Sequence, residues 1–137
     1  MSTKIEAPEG VRVEITDPSM KKPDYDPMDV MREIMRVQQN IKDKDVQIRK
    51  QESRRAEFET WIKRHEKWRA DGGEGKKPMY HEQSLRDGIM DINQNIRVIQ
   101  ESKNKEQQNI SKLEKMLESY QRYQAYIEEQ AAQAAQK

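Results

Sequence analysis

From Leu85 onward the chain places its residues on a spacing that alternates between three and four without a slip: Leu85, Ile89, Ile92, Ile96, Ile99, Lys103, Glu106, Ile110, Leu113, Leu117, Tyr120, Gln124, Ile127, Ala131 and Ala134. Such an alternation has one favourable outcome, an α-helix that buries a single narrow stripe against another helix. A second stripe lies upstream. Positions seven apart read Ile34, Ile41, Ile48, Arg55 and Ile62, and their companions read Val30, Val37, Lys44, Gln51, Phe58 and His65. Composition agrees with narrow stripes: 33% of residues are hydrophobic and 37% charged, against about 45–50% and about 25% in globular domains, so no thick core can form.

The ends of the helices carry their own chemistry. In "DYDPMD", Asp26 can cap a helix, Pro27 suits its first position and Asp29 makes the first turn acidic. The run "DGGEGKKP" breaks that helix, and Ser84 with Asp87 resembles a capping box that restarts the chain. The expected fold is all-α, an elongated two-helix antiparallel coiled-coil hairpin with an extended Pro-containing N-terminal arm. Its parts are the arm over 1–26, helix 1 over about 27–70, a loop over about 71–83, helix 2 over about 84–131 and a frayed tail. At about 1.5 Å per residue the helices would run roughly 65 Å and 70–80 Å.

Four prolines, Pro8, Pro18, Pro23 and Pro27, exclude a continuous helix at the N-terminus. Val11, Val13 and Ile15 alternate with Arg12 and Glu14, which gives one apolar face to a short strand that has no sheet to join. The arm is either flexible or a segment that lies along a protein partner.

Polar residues interrupt both stripes. A chain that turns near residue 77 sets Gln51 against Lys103, Ile48 against Glu106 and Lys44 against Ile110. Lys44, Gln51, Arg55, Lys103 and Glu106 are therefore expected to form a polar layer that fixes register, with Glu106 reaching a basic neighbour. The competing reading is a binding site in which a partner supplies the missing acid or accepts the excess positive charge.

Two helices need only their stripes, yet apolar residues also flank them. Trp61 and Trp68 lie seven apart beside Ile62 and His65, and Met116 and Tyr123 do the same beside the second stripe, with Met31 and Met35 across the hairpin. With Val11, Val13 and Ile15 these are the candidate protein interface, for self-association or a foreign partner. In a lone chain the same side chains would simply cover the seam edges.

Reactive chemistry is sparse. Without cysteine there is no disulfide, thiolate nucleophile or cysteine metal site. His65 sits in the stripe as a packing residue, His81 lies near the loop, and neither has the spacing of a metal site. "GGEGKK" is too short for a phosphate loop and no Ser or Thr follows its lysine. No catalytic, cofactor or metal residues are assigned, and the chain is expected to be no enzyme and to need no cofactor. "WIKRHEKWR" interleaves aromatic and basic residues, but Glu59 and Glu66 dilute it and the tryptophan spacing suits packing, so nucleic acid is disfavoured. A net charge of +1 gives no general pull toward anionic partners, although residues 28–69 lean basic, with twelve Lys and Arg against eight Asp and Glu. The start "MSTKIEAPEG" lacks an apolar signal core and no run reaches the ~20 residues of a membrane helix, so no membrane role and a cytoplasmic location, or a virion if the source is viral, are expected.

In outline the chain resembles small coiled-coil hairpins that serve as stalks, adaptors or chaperones in secretion and motor assemblies, and small structural proteins of bacterial viruses. The likeness is one of architecture. It implies a structural or assembly protein that docks neighbours in a larger complex, a phage virion among them. The alternatives are a small inhibitor or adaptor bound to one host protein, and a holdase-type chaperone.

Overall fold

A computed structural model of the chain describes the backbone of residues 3–6, 12–15 and 21–136, and the side chains of residues 21–136. Two long helices, α1 (Pro27–Ala70) and α2 (Glu82–Ala135), form a helical hairpin. Ahead of them, β1 (Thr3–Glu6) pairs antiparallel with β2 (Arg12–Ile15), in the register Thr3 to Ile15 and Ile5 to Val13. The strand read from Val13 and Ile15 thus has a partner that the sequence reading did not supply. Val11 lies outside the described residues.

Backbone groups at the start of α1 are satisfied by Asp26. Its Oδ1 accepts the Met28 N–H at 2.9 Å, and its carbonyl accepts those of Asp29 and Val30. The other end is closed by glycine. Gly73 N–H donates to Trp68 O and Gly72 N–H to Arg69 O, with Gly72 at φ +90°, which is a Schellman termination that only a residue at ease in left-handed backbone adopts without strain.

Helix α2 begins at Glu82, two residues before the expected Ser84, and runs to Ala135. Ser84 is in its first turn, and Asp87 accepts from Gln83 Nε2 at 2.9 Å instead of closing a capping box. The early start follows from charge. Glu82 pairs with Arg69 and with Arg86, and Arg86 also reaches Glu66 at 3.1 Å, so ion pairs join the end of α1 to the first turn of α2.

The chain divides into two compact units. In residues 38–108 the helices flank the loop and bury Ile48, Ile62, Leu85 and Ile92 together with His65. Among the described residues of the unit of 1–37 and 109–137, the buried ones are Val30, Val37, Tyr123, Ile127 and Ala131. There Tyr25 O–H donates to the Met116 carbonyl at 2.5 Å, tying the segment before α1 to α2. Tyr123, placed on the flank by sequence, is core at 6% exposure, while Gln124, its neighbour on the ideal stripe, is exposed. A helix of about 3.6 residues per turn drifts from a strict heptad, and a tyrosine ring gains more from burial than an amide.

Candidate protein-interaction site

Around the loop, three elements surround a cavity of about 330 Å³. Helix α1 contributes Glu57, Phe58 and Trp61, the loop Tyr80 and His81, and the first turn of α2 Ser84 and Leu85. The Trp61 and Tyr80 rings meet edge to face, with centroids 5.0 Å apart and planes at 80°. Tyr80 holds this position at φ +70°, a backbone conformation in which a side chain this large is rarely found, and stays 58% exposed.

Neighbouring contacts fix the loop. His65, 2% exposed, directs Nε2 at the Met79 carbonyl at 3.2 Å; a carbonyl only accepts, so Nε2 carries the proton. Trp68 Nε1–H donates to Gly75 O at 3.5 Å and Lys77 lies 5.8 Å from its ring, so this half-buried tryptophan packs the loop. Phe58 abuts Gly88 so closely that a Cβ there would lie 2.5 Å from the ring.

Cations cover the aromatic faces. The Arg64 guanidinium is 4.3 Å from the Trp61 centroid and that of Arg54 is 5.4 Å from Phe58. Beside them, the hydrogen bond from Arg69, with a lesser one from Arg86, holds the Glu82 carboxyl below the usual carboxylate range.

A second apolar surface belongs to the other unit. Met28, Met31 and Met35 share one face of α1, all exposed, Met35 to 68%. Salt bridges from Arg32 to Asp29 at 3.3 Å and from Arg36 to Glu33 border them, and the Arg36 hydrogen bond lowers the Glu33 pKa.

Of the polar residues of the stripes, Lys44 and Glu106 pair with each other, whereas Lys103 and Arg55 take partners outside the stripes and Gln51 does not meet Lys103 as the symmetric turn would have it. Lys44 Nζ lies 2.9 Å from Glu106 Oε1, Lys103 Nζ 2.6 Å from Asp45 Oδ1, and Arg55 Nη1 2.8 Å from Asn93 Oδ1. Gln51 Oε1 and Glu106 Oε2 are buried without a hydrogen-bond partner. Lys44 thus meets Glu106, one helical turn short of the Ile110 set opposite it by a symmetric turn at 77. The loop is not symmetric, because α2 starts early.

Of the candidate interface residues, Met31 and Met35 are exposed, Trp61, Trp68 and Met116 half-buried, and Tyr123 enclosed. Val13 and Ile15 lie in β2. Sequence reasoning missed Tyr80, Phe58 and Arg64 as parts of one site; the available signal was the pair Met79 and Tyr80, apolar residues set in a polar loop. Among the described residues no group of three His, Asp or Glu is placed to hold a metal, and no helix is long and apolar enough to cross a membrane. No family model matches the chain, and neither the curated proteins nor the solved structures gave a match.

Proposed function

We propose that this chain is a non-enzymatic assembly component, a helical hairpin that docks protein neighbours in a larger complex, with a virion or a cytoplasmic assembly as its setting. The observation that carries this reading is the pair of apolar surfaces left in water, the Met28, Met31 and Met35 face and the Trp61 and Tyr80 cavity with exposed Met79. Helical proteins with so little core do not leave long apolar side chains clustered at no cost, and such patches mark contact surfaces. The test is a photo-crosslinking residue placed at Met31, at Tyr80 or, as control, at exposed Gln94, in cells of the source. Protein adducts at the first two sites and none at the control are expected. No adduct at Met31 or Tyr80 refutes the reading.

The unbranched, polarizable thioethers of the methionine face also suit a holdase that accepts varied clients. That reading requires suppression of aggregation of unrelated proteins, which a dedicated assembly component does not provide.

A further inference from the structure

Two surfaces of this one sequence complement each other in chemistry and in charge. Residues 24–36, which carry the methionine face, hold four carboxylates, Asp24, Asp26, Asp29 and Glu33, against two arginines, Arg32 and Arg36, which pair with Asp29 and Glu33 and leave Asp24 and Asp26 in excess. Residues 53–69, which carry Phe58 and Trp61, hold six basic residues against three acidic ones. Among the described residues neither Arg54 nor Arg64 pairs with a carboxylate. Both guanidiniums rest on the rings that they cover, 5.4 Å from Phe58 and 4.3 Å from Trp61, with N–H donors left for an incoming acid.

We infer that the Met28, Met31 and Met35 face of one copy docks on the Phe58, Trp61 and Tyr80 cavity of a second copy. The inference rests on the reading of the chain as a docking component and names its partner. Methionine suits the cavity: it is unbranched, enters between rings without a fixed shape, and its sulfur makes favourable contacts with aromatic edges. Opposite charge around the two surfaces steers the encounter and disfavours pairing of like with like, since two methionine faces would bring eight carboxylates against four arginines. Because the surfaces differ, the contact is heterologous, and each copy that gives its methionines keeps a cavity for the next.

Sedimentation velocity on the full-length protein over a range of concentrations tests this. The wild type forms species beyond the dimer, and added salt weakens them. Two variants break one surface each. Met31→Glu with Met35→Glu changes exposed side chains only, and Tyr80→Gly with Arg64→Glu removes the ring while relieving the positive φ; circular dichroism checks that both stay helical. Each variant alone sediments as a monomer, and their equimolar mixture gives a one-to-one complex that grows no further, because it retains one intact surface of each kind. A monomeric wild type overturns the inference, as do variants that assemble like wild type or blocked variants that fail to complement one another. A monomeric wild type that still yields adducts at Met31 and Tyr80 in cells would retire the self-docking inference alone, whereas absence of adducts would retire the docking function itself.

Discussion

Gly88 lies within α2, where glycine is a poor helix former, and replacing it by alanine would ordinarily stabilise the helix by about 1 kcal/mol. Here the added Cβ would sit 2.5 Å from Phe58 Cε2 and 3.0 Å from Cδ2, distances that force the ring to move. Moving it strains a packed contact, at about 1–3 kcal/mol, and gives up part of the Arg54 contact, worth about 0.5–1 kcal/mol. Taking about 2 kcal/mol for the displacement, Gly88→Ala is destabilising by about 1 kcal/mol net. In a Phe58→Ala background the obstruction is gone and the same change stabilises by about 1 kcal/mol, so the coupling is about 2 kcal/mol. Urea unfolding followed by circular dichroism reads both: at an m-value of about 2 kcal/mol/M the midpoint falls by roughly 0.5 M in the first background and rises by as much in the second. Stabilisation by Gly88→Ala in both backgrounds would refute the close approach of the helices at this point.

Gly72→Ala should cost about 1–2 kcal/mol, since alanine at φ +90° meets its own carbonyl; an unchanged urea midpoint would show that α1 does not end in this turn. Lys44→Leu alone should lower the melting temperature, because it leaves both Glu106 oxygens without a partner. Lys44→Leu with Glu106→Leu should raise it above wild type, corresponding to about 1 kcal/mol of added stability given that both side chains are one-fifth exposed; a double variant below wild type would contradict this. Burial, and next the neighbouring Tyr120, push the Tyr123 hydroxyl pKa up. Above the unfolded value of about 10 the unfolded chain releases this proton while the native chain holds it, so stability falls as pH rises toward the native pKa. Denaturation across that alkaline range should show the fall in wild type and a shallower one in Tyr123→Phe; identical profiles would place Tyr123 in water.

The hairpin was legible because two alternating stripes and three clustered glycines leave few other arrangements. Register was not, since it depends on where α2 starts, and the ion pairs of Arg69 and Arg86 with Glu82 that accompany that start are revealed by no periodicity. The spacing set Gln124 in the seam, where the structure encloses Tyr123; burial follows the side chain that gains from it. "TKIE" offers one strongly apolar residue to announce β1, and its pairing with β2 depends on chain reversal. The cavity was hidden for a similar reason: Phe58 belonged to a stripe and Tyr80 to a loop, and only the folded chain brings Trp61 between them.

The location of the indole rings gives the chain a built-in optical division. Both tryptophans, Trp61 and Trp68, fall in the unit of residues 38–108, whereas Tyr25, Tyr120, Tyr123 and Tyr126 fall in the other. Indole emission therefore follows the melting of one unit with no label attached, while far-ultraviolet dichroism follows helix throughout the chain. Coincident curves would mean that the two units unfold as one cooperative block, and an early indole transition would mean that the loop-side unit opens while the remainder stays helical.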